Sequence, residues 1–205
     1  MCNHYEADPE AIPTWAEYIG WSIPDAAFSE TKRDAWPRRQ APLAIVRDGA
    51  RVMTAMQWGV PLTMAGKRPG TTVTKRITNV RNLSSSFWRS LLTQPAQRCL
   101  VPFSRFAEPK PGAGREEVWF AVREAPVAAF AGIWRPTAEG DAFAFLTCEP
   151  NPIVAPIHPK AMPVILMPDD YAAWMDGAPA AELAKPFPSQ LMAIVSSSSS
   201  ERSAS

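Results

Sequence analysis

The sequence predicts an α/β protein of the α+β type: a mainly antiparallel, strand-dominated core with a few short helices on its flanks. Three observations predict it. Runs rich in β-branched and aromatic residues recur between Pro, Gly and charged breakers. The 22 prolines among 205 residues shorten every element and exclude long helices. Strands and helices also fail to alternate as a βαβ chain requires. With 46% hydrophobic residues the chain can fill one core. The expectation is a single domain over residues 1–195 and a Ser-rich, low-complexity tail over 196–205 with nothing to bury.

Taken in order, "PEAIPTWAEYIGW" (9–21) reads as a first helix. "PLAIVRDGARVMTAMQWGVP" (42–61) reads as two strands joined at Asp48-Gly49, a dipeptide favoured in tight hairpins. "SSFWRSLLTQ" (85–94) is a short helix with a serine N-cap and Pro95 beyond its end. Strands follow at "RCLVPF" (98–103), "EVWFAVRE" (117–124), "VAAFAGIW" (127–134), "DAFAFLTCE" (141–149), "MPVILM" (162–167) and "LMAIV" (191–195). Between the last two, "DDYAAWMDG" (169–177) is a helix with Asp169 early and Gly177 as its stop.

No apolar run approaches the roughly 20 residues that span a bilayer, and the acidic N-terminus lacks the basic flank and apolar stretch of a signal peptide. A soluble, cytoplasmic, nucleoid-associated monomer is expected. Three widely spaced cysteines suit neither a disulfide framework nor a CxxC zinc site. The net charge of +1 hides a segregation. Residues 1–31 hold six acids and no Lys or Arg, whereas Lys32 to Lys110 carry fifteen Lys and Arg against Asp34, Asp48 and Glu108. Such a segment either scatters its charge over a solvated exterior or forms a polyanion-binding face.

The chain starts "MCNH". A cysteine there is read in two ways, as a small buried hydrophobe or, once Met1 is removed, as a 1,2-aminothiol. An α-amine titrates near pH 7.7 to 8.0, so part of it is neutral at physiological pH and can attack an aldehyde. The adjacent thiol can then close a five-membered thiazolidine ring. The aldehyde that belongs with a basic face is the ring-opened sugar of an abasic site in DNA. Other polar candidates are Asn79 and Arg81 in "ITNVRN", Glu108 in "SRFAEP" and His158 in "APIHPKAMPVIL". Singly, each is also an ordinary turn former, surface charge or structural histidine. Trp58 in "MQWGVP" is either core or a stacking platform for a base. Cys2, His4 and His158 match no standard zinc spacing, and neither metal nor cofactor is expected.

The ordered set "MC", "QWGVP", "TNVRN", "RCLVP" followed by a glutamate, "FAGIW" and "H" before "MPVIL" resembles the SOS response-associated peptidase family, whose members cross-link to abasic sites. The resemblance runs from Cys2 to about Leu166. It implies a twisted, barrel-like antiparallel sheet, a groove for single-stranded DNA containing abasic sites, and Cys2 as nucleophile. It further implies that Asn79 orients the cysteine or its adduct, that Glu108 is the acid/base, and that His158 stands beside the sugar. Arg81 matches a phosphate-binding arginine and Trp58 a tryptophan that shapes the unstacked DNA end. Asn3-His4 stands where the family usually has Gly-Arg, and Lys160 is read as a stand-in for an arginine beside the histidine. An N-terminal-cysteine peptidase or amide hydrolase, and a non-catalytic single-strand-binding module, are the competing readings.

Overall fold

The computed structural model describes residues 2–24 and 31–196. The expected tail from residue 197 onward, and Met1, lie outside the described residues. In chain order the elements are β1 (His4–Glu6), α1 (Ile12–Tyr18), β2 (Asp34–Ala35), β3 (Gln40–Arg47), β4 (Ala50–Trp58), β5 (Val60–Ala65), β6 (Thr72–Ile77) and β7 (Asn79–Val80). There follow α2 (Ser86–Thr93), β8 (Arg98–Phe103), β9 (Arg105–Pro109), β10 (Glu117–Val122), β11 (Ala128–Arg135) and β12 (Ala142–Cys148). The last are β13 (Met162–Pro163), β14 (Ile165–Leu166), α3 (Asp170–Met175), α4 (Ala180–Leu183) and β15 (Met192–Val195).

Strands β12, β4, β3, β8 and β11 form a ring, because β11 also pairs with β12 and so returns the sheet to its start. Every step is antiparallel except β12 with β4, where Phe143 lies beside Trp58 in parallel register. The ring is sheet-like and barrel-like rather than a regular barrel, because the parallel step is short and β7 also pairs with β12. A second, wholly antiparallel sheet runs β15-β10-β9-β1-β2. The β5–β6 ribbon stands apart from both, with most of its side chains exposed or half-buried.

Local chemistry accounts for these elements. Asp48 and Gly49 both take left-handed backbone, with φ 52° and 77°, as the tight turn between β3 and β4 demands. The expected strand over 162–167 divides in two: Met162–Pro163 pairs with β12, Ile165–Leu166 with β11, and Val164 between them bonds to Leu146 and Ala131 across the ring's closure. The serine at the α2 N-cap, Ser85, makes no side-chain capping bond, so that helix rests on burying Trp88, Leu91 and Leu92. Gly132 is fixed by space, since a β-carbon there would stand 2.6 Å from Cys99 Sγ and 2.7 Å from Val101 Cγ2.

An aromatic cluster joins the two sheets. Phe103 stacks on Phe130 at 3.9 Å, Phe130 meets Phe145 at 4.8 Å, and Phe106 of the second sheet lies 6.0 Å from both Phe103 and Phe130. Tyr5 of β1 inserts edge-on against Trp58 and Phe130. Burying a side chain of that size contributes about 2 kcal/mol. That insertion anchors the three-residue strand that follows Cys2.

Candidate active site

Alternation along β1 sorts its side chains. Tyr5 enters the core, while His4 and Glu6 face the other way, Glu6 onto Arg105 at 2.8 Å. Cys2, just before the strand, is fully buried, and its thiol donates to the His4 carbonyl at 3.4 Å. Burial first, then the nearby charge of Glu108, pushes the Cys2 thiol well above its ordinary value.

β9 lies beside β1, with His4 opposite Ala107, and so carries Glu108 to the cysteine. Glu108 has no exposed surface. Burial, and secondarily the charge of Glu117 on β10, raise its carboxyl to about 7. A carboxyl of that kind exchanges its proton at working pH, which is the property general acid/base catalysis requires.

β7 brings in Asn79. Its Nδ2 donates to the Cys2 carbonyl at 3.3 Å and to Thr78 Oγ1 at 2.7 Å, while its buried Oδ1 has no hydrogen-bond partner among the described residues. A buried acceptor without a partner beside Cys2 is placed to receive an N–H.

Two residues on, Arg81 donates to the carbonyls of Cys148 at 3.1 Å and Lys160 at 2.5 Å and pairs with Glu149 at 2.6 Å. It thereby ties the 158–161 turn to the strand carrying Asn79. His158 in that turn is half-buried, and its Nδ1 lies 2.7 Å from the Ala161 carbonyl. Burial, together with the positive charges of Lys160 and Arg81, lowers its pKa, partly opposed by the Ala161 bond. The imidazole is thus neutral near pH 7. The same Nδ1 lies 3.2 Å from the Ala161 amide, so the Ala161 backbone fixes the orientation of the ring.

The structure therefore brings Cys2, Asn79 and Glu108 together and attaches His158 through Arg81. Lys160 is exposed beside it, and Asn3 is exposed next to the cysteine. Two expected DNA contacts require correction. Trp58 has no exposed surface: it stacks on Phe145 at 5.2 Å, and its indole N–H donates to the Thr78 carbonyl at 3.0 Å. A ring enclosed on all sides has no face for a base, and its work is to hold the backbone from which Asn79 projects. His4 does not point outward either. Its Nδ1 meets Glu117 at 2.8 Å, its Nε2 meets Asp34 at 3.0 Å, and the ring is stacked on Trp36. With both nitrogens committed to carboxylates, it has no donor left for a phosphate. Glu117, which links His4 to the electrostatics of Glu108 and Cys2, went unnoticed in the sequence as one acid in "REE".

The described residues contain no group of three or more His, Cys, Asp and Glu side chains placed to hold a metal. None of their helices is long and apolar enough to cross a membrane.

The pattern of the SOS response associated peptidase (SRAP) family matches residues 1–200. The chain belongs to the SRAP family. Among solved structures, this SRAP protein is similar to one from Bordetella bronchiseptica at 24% identity and TM-score 0.70, covering 96% of this chain and 100% of that one. It is similar to another from Bacteroides thetaiotaomicron at 20% identity and TM-score 0.73, covering 95% and 92%. A phage-related protein from Bordetella bronchiseptica aligns at 18% identity and TM-score 0.63, covering 96% and 95%. At such identities these likenesses concern the fold. No match is found among curated proteins.

Proposed function

We propose that this SRAP protein captures abasic sites in single-stranded DNA as a covalent thiazolidine through Cys2, after removal of Met1. The observation that carries the proposal is the pairing of a thiol held neutral with a buried carboxyl, Glu108, raised to about 7. A neutral thiol is a weak first nucleophile. The α-amine therefore attacks first: nitrogen bonds to the aldehyde carbon, water departs, and an imine forms. The thiol sulfur then adds to the imine carbon, its proton passing through Glu108 to the ring nitrogen. No oxidant or reductant is consumed.

In this scheme Asn79 Oδ1 accepts from the attacking amine, and the neutral His158 relays a proton at the opened sugar. Lys160 and Asn3, both exposed, are the candidates for phosphate contact, and Arg81, bonded to the Cys148 and Lys160 carbonyls and paired with Glu149, orders the turn that carries Lys160. Such contacts position a strand without reading its sequence. A thiolate-first peptidase fits less well, because burial and the charge of Glu108 outweigh the hydrogen bond to His4 and hold the thiol well above its ordinary value. The test is to incubate the protein with single-stranded DNA containing one abasic site and look for a complex that survives heat and detergent. Intact DNA should give none, and a heat-stable complex with Cys2→Ala as abundant as with wild type would overturn the assignment.

A further inference from the structure

We infer a nucleotide-binding cleft at Trp36, Arg38 and Arg39, which stacks the base next to the captured site and holds its phosphate. The inference rests on the reading of Cys2 as the capture residue. It gives to Trp36 the stacking role that burial denies to Trp58.

The cleft, about 430 Å³ in volume, is lined by Lys32, Asp34, Trp36, Arg38, Arg39 and Gln40. Trp36 is 43% exposed, an unusual condition for so large an apolar ring. One of its faces is covered by His4, with ring centroids 3.7 Å apart and planes 20° from parallel. The imidazole is itself held by Glu117 and Asp34 and braced edge-on by Trp119 at 4.6 Å. A ring backed by a clamped ring is a rigid platform, and a base stacking on it loses little freedom beyond its own.

The cations beside the platform are available. Lys32, Arg38 and Arg39 form no ion pair among the described residues, whereas Arg33, Arg47, Arg76, Arg81 and Arg105 each pair with a carboxylate. The acid in the cleft, Asp34, is engaged with His4. Arg38 holds a left-handed backbone at φ 68°, which a β-carbon resists. It is kept there by the Arg38 amide bonding to the Trp58 carbonyl at 2.8 Å and the Trp58 amide to the Arg39 carbonyl at 3.0 Å. That turn presents two adjacent guanidiniums beside an exposed indole, the combination that binds phosphate and base of a single-stranded nucleic acid.

Position supplies the link to the reaction. β2 pairs with β1 so that Trp36 follows the Tyr5–Ala35 pair and meets His4, two residues from Cys2. Two extended residues span at most about 7 Å. The cleft therefore lies beside the captured sugar, where the neighbouring nucleotide passes.

The experiment measures equilibrium affinity for a single-stranded oligonucleotide carrying a reduced, unreactive abasic residue. It is compared with the same strand in which one flanking base is also deleted. Trp36→Ala should weaken binding to the first strand by roughly fivefold to 150-fold, the span of one lost base stack. Trp36→Phe should lose less. Deleting the flanking base should weaken wild type to a similar degree and leave Trp36→Ala unaffected. Replacing Arg38 and Arg39 by serine should flatten the log-log salt dependence by about 1.4, two contacts' worth. If Trp36→Ala binds within twofold of wild type, or its loss is indifferent to the flanking base, the cleft is not a stacking site. The arginine variants and Trp36→Phe decide the matter if Trp36→Ala folds poorly. Base-dependent loss in a protein that never cross-links would remove the covalent reading and keep the cleft. Cross-linking with no dependence on Trp36 in these affinities would do the reverse.

Discussion

Glu108→Gln tests the electrostatics of the site through both stability and rate. The folded carboxyl titrates at about 7 against an ordinary 4.5, so the folded chain holds that proton more tightly than the unfolded chain does. The contribution is complete below pH 4.5. It is lost as pH rises through 4.5 to 7, and above that the buried charge is a cost. At about 1.4 kcal/mol per pH unit the difference is worth about 3 kcal/mol, or roughly 6 to 12 °C of melting temperature for a chain of this length. Glutamine keeps the shape and a hydrogen-bonding amide but has no proton to lose. The variant should therefore melt close to wild type at pH 4.5 and clearly above it at pH 8. Its cross-linking should slow by about 10²-fold or more, and the inflection near pH 7 should vanish, leaving only the rise due to the terminal amine near 8. Thermal melts and gel time courses across pH 4.5 to 9 on both proteins measure this. Parallel melting curves across the whole range, or an unchanged rate, would refute the account of Glu108.

Further outcomes follow from other contacts. Cys2→Ser should form at most an imine that borohydride traps, since the hydroxyl cannot replace the thiol in a stable ring; a heat-stable serine adduct would contradict this. His158→Ala should slow both formation and release of the adduct, because a proton relay lowers the barrier in each direction; a change in formation alone would assign His158 to binding. Arg81→Ala releases the 158–161 turn from the Cys148 and Lys160 carbonyls. It should cost about 1 kcal/mol in a denaturant titration and slow cross-linking with it. Gly132→Ala forces a β-carbon against Cys99 and Val101 inside the ring and should destabilise by about 1 to 3 kcal/mol without altering DNA affinity.

What the sequence made legible was the local part. The Asp48-Gly49 hairpin was readable because two left-handed residues in succession demand that chemistry. The strands 98–103, 128–135 and 142–148 were readable because both their faces are buried and few polar residues interrupt them. The β5–β6 ribbon was not, because its exposed residues include Lys75 and three threonines at 63, 72 and 74 with little apolar alternation. β1 was too short for any periodicity, being set by pairing with β2 and β9.

At the site, Cys2, Asn79 and Glu108 were found as individual residues, but their meeting depends on β1, β7 and β9 converging from distant parts of the chain. Trp58 is buried and Trp36 exposed, which the sequence did not distinguish for the same reason. Nothing in "MQWGVP" or "DAWPRR" tells which indole is enclosed by Phe143, Phe145 and Tyr5 and which is backed by a single imidazole.

The most direct test of the central claim is the intact mass of the protein before and after exposure to single-stranded DNA with one abasic site. The account predicts a starting mass without Met1. It then predicts a product equal to protein plus DNA less one water, unchanged by borohydride because the thiazolidine has no C=N bond to reduce. A protein that retains Met1 on isolation and through the incubation, or a product whose mass grows by two hydrogens on reduction, would contradict it.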